Sequence, residues 1–192
     1  MGNLAPHGLG RVAGRNAAQT RTTLLEAAAY WFARKNYDHV NVREIAERAG
    51  VAPALINRYF GSKALLFSEL LAEAGHTVNP LDGDITSLGE RLAAFMQADP
   101  EEARELPGGA SLMMLLNSIA SIGVQDLVVD HVRQLATRRL VDMLEGAERE
   151  ERGALIFGYL IGCLMIRRMV PLTPTTSLCL AGAIQHCVAA RP

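Results

Sequence analysis

The chain has 192 residues, of which 49% are hydrophobic but only 5% aromatic, and its formal net charge is −1. A core of Ala, Leu, Ile, Val and Met, without alternating β-branched runs, predicts an all-helical protein. The apolar run 153–166 is shorter than the roughly 20 residues that span a bilayer. The first residues lack the apolar segment of a signal peptide, so we expect a cytoplasmic protein with no membrane partner.

The charge is unevenly distributed along the chain. Residues 1–63 contain nine Lys or Arg and four Asp or Glu, whereas residues 64–192 contain ten and sixteen. A basic N-terminal third on an acidic remainder suits a protein that binds nucleic acid with one end only.

The three cysteines, Cys163, Cys179 and Cys187, have neither redox nor metal-ligand spacing. We expect buried, reduced thiols. The histidines also lack ligand neighbours at metal spacing, so the sequence predicts no metal site and no cofactor.

Residues 1–18 are rich in Gly, Ala and Arg and predict a disordered basic arm. Arg11 and Arg15 could follow phosphates or the minor groove, or be incidental. Thr20 is expected to cap the first helix, which is about 14 residues long by its apolar spacing. Asn36 tolerates the left-handed backbone that often ends a helix.

The segment 41–63 predicts two short helices, a tight turn between them, and the start of a third. Asn41 is a good N-cap, and Glu44 can complete a capping box. Gly50 fits the left-handed position after the first helix. Pro53 suits the first turn of the second helix.

Helix, glycine turn and helix is the spacing of a helix-turn-helix, whose second helix enters the DNA major groove. Residues 20–72 resemble the DNA-binding region of the tetracycline-repressor (TetR) family of bacterial regulators. The matching segments are TRTTLLEAAAYWFARKNYDHV, NVREIAERAGV and APALINRYFGSKALL. The resemblance implies a DNA-binding domain over 19–62 and a ligand-binding and dimerisation body over 63–192.

The resemblance also implies which residues contact DNA. The family positions that touch the DNA backbone are occupied here by Asn41, Arg58, Tyr59 and Lys63. The front of the second helix and the helix before it are expected to add Arg43, Ala52, Pro53, Ala54 and Asn57.

Individual roles within this set remain open. Asn57 is expected to be the main hydrogen-bonding reader, because its amide can pair with adenine. Alternatively, Asn57 touches only water or phosphate, and Tyr59 packs against the first helix. Ile56 and Phe60 are expected to face the core, and Ala52 leaves the second helix without a side-chain N-cap.

The rest of the chain predicts further helices, about nine in all. Glycine and proline positions divide them into the segments 63–75, 84–98, 110–122, 125–144, 148–170 and 176–190.

The last two helices have more apolar surface than one side of a core can cover, and they carry small residues that allow close helix approach. The resemblance implies that they pair across a homodimer. The expected contacts are Gly158, Ile161, Gly162, Met165, Leu178, Ala181, Gly182 and Gln185. The alternative is that both faces are buried within one subunit.

Methionines and an asparagine within apolar helices suggest an adaptable effector pocket. The expected lining is Phe95, Met96, Met113, Leu116, Asn117 and Phe157. Alternatively, the methionines are ordinary core and Asn117 binds backbone or water.

Taken with these patterns, the resemblance implies a dimeric repressor that an apolar small molecule releases from a palindromic DNA operator. The resemblance implies that the ligand shifts the 63–75 helix and with it the spacing of the two recognition helices. A DNA-binding dimer without a ligand is the alternative. A helical enzyme is disfavoured, because the chain has no GxSxG, HExxH or P-loop motif.

Overall fold

The computed structural model describes residues 9–74, 81, 83–106, 108–134, 140–167, 169–171 and 173–189. The described residues are all-helical, as predicted. The α-helices are α1 Leu9–Phe32, α2 Val42–Arg48, α3 Ala54–Phe60, α4 Lys63–Ala74, α5 Leu88–Gln97, α6 Pro100–Glu105, α7 Gly109–Ser118, α8 Gln125–Gln134, α9 Val141–Met143, α10 Arg149–Ile166 and α11 Pro174–Ala189. Three 3-10 helices span Tyr37–His39, Ile85–Ser87 and Ile122–Val124.

The first helix begins earlier than predicted, at Leu9 instead of Thr20. The Thr20 hydroxyl donates to Asn16 O (2.8 Å), as an interior helical threonine does, and does not cap a helix start. The prediction of a disordered arm is therefore wrong for residues 9–18, where no proline interrupts the helix. Residues 1–8 and the side chains of Arg11 and Arg15 lie outside the described residues.

The chain leaves α1 through an extended residue, where we predicted a left-handed one. Asn36 has φ −57° and ψ 143°, and its Oδ1 accepts from Asp38 N at 2.8 Å. Asn36 thus caps the 3-10 helix Tyr37–His39, so the same side chain that could end one helix begins the next.

A small aromatic core joins the helices of the N-terminal domain. Phe32 stacks on Tyr37 with ring centroids 5.7 Å apart and meets Phe67 edge-on at 5.0 Å. Met114 and Leu115 of α7 belong to the same buried cluster. The core of the N-terminal domain therefore continues into the body.

The core of the body lies between α5, α7, α10 and α11. The approach of α5 to α11 is so close that a Cβ at Gly89 would lie 2.3 Å from Ala181 O. Buried Arg152 on α10 donates to Cys187 O (3.2 Å) and Val188 O (3.3 Å) and so binds the end of α11. Within the described residues, no helix is long and apolar enough to cross a membrane.

The cysteines differ from one another in exposure. Cys187 is buried as expected, and burial raises the pKa of the half-buried Cys163 thiol. Cys179 is exposed, so the expectation of a buried thiol is wrong there. Its position beside exposed Leu178 places it on the outer face of α11.

Candidate functional site

The first helix of the helix-turn-helix is fixed at its N-terminus by the predicted capping box. Asn41 Oδ1 accepts from Arg43 N (2.9 Å), and Asn41 N donates to Glu44 Oε2 (3.1 Å). Lys35 Nζ lies 2.6 Å from Glu44 Oε1, and Trp31 Nε1 donates to Glu44 O (3.0 Å). Glu44 therefore ties α2 to the end of α1.

These contacts make the stability of the domain depend on the charge of Glu44. The hydrogen bond from Lys35, followed by that from the Asn41 backbone, lowers the pKa of Glu44. A carboxylate with a lowered pKa in the folded state stabilises the protein above its unfolded pKa, and this contribution disappears as pH falls through the folded pKa.

We predict that Glu44→Gln flattens the acid side of the stability curve. Below the ordinary pKa of glutamate, unfolding free energy should fall more steeply with decreasing pH in the wild type than in the variant, and the two curves should converge. Urea denaturation followed by circular dichroism at several pH values measures this. Glu47→Gln, an exposed position on the same helix, is the control; parallel curves for Glu44→Gln and wild type would contradict the assignment.

The turn into α3 has the geometry that the sequence predicted. Gly50 is left-handed (φ 66°), and Val51 N donates back to Ala46 O at 3.0 Å. Pro53 is the N-cap of α3, one residue before the first turn in which we predicted it, and α3 has no side-chain N-cap, as expected. Ile56 and Phe60 are buried, which confirms their predicted orientation.

The opposite face of α3 is open to solvent. It is formed by Ala52, Pro53, Ala54, Asn57 and Arg58, which we call the reading surface. Asn41 and Arg43 are exposed on the neighbouring helix. Tyr59 is half-buried and packs against the core of the domain. This agrees with the alternative that Tyr59 has a packing role.

Lys63 has an internal role that the sequence did not indicate. Its Nζ donates to Tyr37 O (2.9 Å) and Val40 O (3.0 Å) and lies 4.2 Å from the centre of the Tyr37 ring. Burial lowers the pKa of this ammonium group, and the negative charge of Asp38 offsets part of this shift by raising the pKa. Lys63 therefore joins the start of α4 to the loop between α1 and α2.

We predict that Lys63→Met destabilises the protein by about 1–3 kcal/mol, because two carbonyl groups lose a charged donor while the aliphatic stem is kept. Chemical denaturation measures the change. Arg58→Ala, which removes an exposed cation from the reading surface, is the control and should leave stability unchanged. Equal stability of Lys63→Met and wild type would show that these bonds contribute nothing.

The end of α1 is held by polar side chains of the body. Asn117 Nδ2 donates to Ala33 O (2.9 Å), and Asn36 Nδ2 donates to Asn117 O (2.9 Å). Ser121 Oγ donates to Asn36 Oδ1 (2.9 Å), and Arg104 Nε donates to Ala33 O (3.1 Å). Asn117 thus has backbone partners, as the alternative interpretation expected.

Ion pairs extend this junction. Glu101 on α6 binds Arg34 Nη2 (2.5 Å) and Arg104 Nη1 (2.6 Å). The Arg34 guanidinium also lies 3.8 Å from the Tyr30 ring centre, and that of Arg48 lies 3.3 Å from it. Arg48 belongs to α2, so a chain of contacts runs from the body to the helix-turn-helix.

A pocket of about 520 Å³ opens at this junction. Its lining is Arg34, Asn36, Pro100, Arg104, Met113, Asn117, Leu164 and Arg167. We call it the junction pocket. Its arginines were missed by the sequence analysis, because they are distant in sequence and each is at a helix end, where a charged residue is common.

The predicted effector residues divide between this pocket and the core. Met113 and Asn117 line the junction pocket. The other four, Phe95, Met96, Leu116 and Phe157, are buried in the core of the body and do not line it.

The predicted dimer residues also divide. Gly158, Gly162, Met165, Leu178 and Gly182 are exposed on α10 and α11. The other three are half-buried within the subunit. On α11, Gln185 Oε1 accepts from Gly89 N (3.3 Å) and Ala181 O faces Gly89, so both lie toward α5; on α10, Ile161 packs on the body core. The contacts across a dimer stay a prediction.

Two family models match the chain. The model described as bacterial regulatory proteins, tetR family, matches residues 24–70, and the model described as tetracyclin repressor-like, C-terminal domain, matches residues 87–190. The HTH-type transcriptional regulator BetI of Brucella anthropi is 29% identical over 155 residues, which are 77% of this chain and 80% of that protein. The HTH-type transcriptional repressor BdcR of Escherichia coli K12 is 33% identical over 135 residues, which are 66% of this chain and 67% of that protein.

Solved structures resemble the fold. The crystal structure of NalD, the secondary repressor of the MexAB-OprM multidrug efflux pump in Pseudomonas aeruginosa, has a TM-score of 0.59 at 17% identity and covers 90% of this chain and 97% of its own. A TetR-family regulator from Streptomyces coelicolor has a TM-score of 0.52 at 23% identity. The match covers 98% of this chain and 100% of that chain. At these identities the likeness supports the fold alone.

Proposed function

This chain belongs to the TetR family of bacterial regulatory proteins, and from this premise we propose that it is a cytoplasmic repressor that binds a palindromic operator as a homodimer. DNA-binding transcription regulation is the function of the family. Relatives that are regulators favour regulation over catalysis as the role of this chain.

The observation that carries the proposal is the reading surface itself. A seven-residue helix buries Ile56 and Phe60 and presents its other face to solvent. In a helix-turn-helix this second helix contacts base edges in the major groove. The exposed Asn41 and Arg43 flank it, where contacts to phosphates position a protein on the duplex.

Asn57 is the side chain of this surface best suited to read a base. Ala52, Pro53 and Ala54 offer only apolar contact, for which a thymine methyl is the natural partner. Arg58 near the end of α3 can bind phosphate. The head therefore reads few base edges directly, and phosphate contacts supply most of the affinity.

We predict that Asn57→Ala costs about 1–3 kcal/mol of binding to the operator and relaxes the preference at one base pair in each half-site. Binding selections on randomised DNA, followed by titrations of the selected site, measure both effects. Arg58→Ala is the matched control and should weaken binding to all sequences alike, with a smaller salt dependence. If Asn57→Ala selects the same sequence as wild type, Asn57 does not read a base.

The homodimer is supported by an unpartnered apolar face. On α10 and α11 the exposed large side chains are Leu155, Tyr159, Met165, Ile166 and Leu178. A Cβ added at Gly158, Gly162 or Gly182 would meet no atom of a neighbouring described residue within 4 Å. Such open glycines beside apolar side chains allow a second helix pair to approach closely, and a two-fold dimer would present two reading surfaces to a palindrome.

We predict that the double variant Gly158→Leu, Gly182→Leu weakens or splits the dimer. Both positions are open within the subunit, so the monomer should keep its fold. Sedimentation velocity and circular dichroism test this together with operator binding. Ala72→Leu places a leucine at an exposed position on α4, outside the proposed interface, and should remain dimeric. A double variant that dimerises as tightly as wild type would place the interface elsewhere.

A further inference from the structure

The junction pocket has a polar end formed by arginine and amide side chains. Arg34 just after α1, Arg104 of α6 and Arg167 just after α10 line it, and no acidic side chain lines it among the residues that the structure describes. Asn36 and Asn117 add amide groups to this polar end. The apolar contribution comes from Pro100, Met113 and Leu164.

The protein already places a carboxylate against two of these arginines. Glu101 bridges Arg34 and Arg104, whose side chains are only 20% and 15% exposed, while its own side chain is 65% exposed. Guanidinium groups bind planar carboxylates through paired hydrogen bonds. An exposed partner contributes little binding energy, so a better-placed carboxylate can displace it.

We propose that the junction pocket binds a small organic acid, whose carboxylate replaces that of Glu101 on Arg34 and Arg104. The volume of about 520 Å³ lies in the range of small-molecule sites. Leu164, Met113 and Pro100 accept the hydrocarbon part of the acid. This inference rests on the proposed function, and an acid takes the place of the apolar effector that the sequence predicted.

The position of Arg34 gives the acid a route to the DNA-binding domain. Arg34 joins α1 to Glu101 of α6 on one side and lies on the Tyr30 ring on the other. The guanidinium of Arg48 on α2 lies 3.3 Å from the centre of the same ring. An acid that draws Arg34 away from Glu101 therefore changes how α6 holds α1 and, through Tyr30, where α2 sits. Operator affinity falls as a result.

Calorimetric titration of the full-length protein tests the ligand class. The probes are octanoate and benzoate, each matched with its uncharged amide, octanamide and benzamide. Each acid should bind roughly tenfold or more tightly than its amide. Equal binding of acid and amide, no binding of either acid up to roughly 10 mM, or equally tight binding of inorganic phosphate overturns the proposal.

Variants locate the binding. Arg34→Gln and Arg104→Gln should each abolish the preference for acid over amide, whereas Glu101→Gln should tighten acid binding several-fold by removing the internal competitor. Arg133→Gln is the control, because Arg133 also pairs with an acidic residue three positions earlier, Asp130, but is exposed and outside the pocket. Retention of the preference in both pocket variants contradicts the assignment.

Operator titrations separate this inference from the proposed function. In wild type, saturating octanoate or benzoate should lower operator affinity roughly fivefold or more, and the amides should leave it unchanged. A protein that binds the acids but selects no DNA sequence refutes the repressor function alone. A protein that binds its operator but neither acid refutes only the inference, and an acid that binds without changing operator affinity refutes the coupling.

Discussion

The carbonyl groups at the C-terminal end of α1 are the constraint on which the arrangement of the two domains depends. A helix end leaves its last carbonyls without intrahelical donors. Here Asn117 donates to Phe32 O (3.3 Å) and Ala33 O (2.9 Å), and Arg104 also donates to Ala33 O. These donors belong to α7 and α6, so the body completes the first helix of the DNA-binding domain. The N-terminal domain therefore cannot turn relative to the body without exchanging these bonds for others.

The reading surface depends on burial, because α3 has little stability of its own. Seven residues without a side-chain cap do not form a stable helix in isolation. Burial of Ile56 and Phe60 contributes about 1.5–3 kcal/mol each, and the left-handed backbone at Gly50 and Gly61 sets where α3 begins and ends. The exposed side chains of the reading surface are thus held in place by the packing of the opposite face of α3. Asn57 is exposed, whereas Ile56 and Phe60 of the same helix are buried and pack into the core.

Local features of the fold were predictable from the sequence, and distant ones were not. The Asn41–Glu44 box, the Gly50 turn and the buried pair on α3 each follow from residues within one or two turns of helix. The partners of Lys63 are carbonyl groups 23 and 26 residues away, and Arg34 meets Glu101 67 residues later. No periodicity encodes such pairs. Small residues also do not indicate which face of a helix is buried. Gly182 faces solvent, whereas its neighbour Ala181 faces α5. Close packing inside a subunit and between subunits selects the same residue types.

The placement of α10 explains why a ligand at the junction would act on the spacing of two DNA-binding domains. Gly158 and Gly162 lie on its exposed face, where the proposed partner helix would pack, and Leu164 lines the junction pocket near its end. On the other side of the pocket Arg34 lies two residues after the end of α1, the helix that precedes the helix-turn-helix. A ligand there touches both the helix that would set the geometry of the dimer and the helix that sets the position of the reading surface. Half-sites lie roughly 34–36 Å apart along the duplex, so a small rotation of α1 against α10 in each subunit adds up across the dimer axis. Affinity for a palindrome depends on both domains fitting at once, and this is the quantity that such a rotation changes.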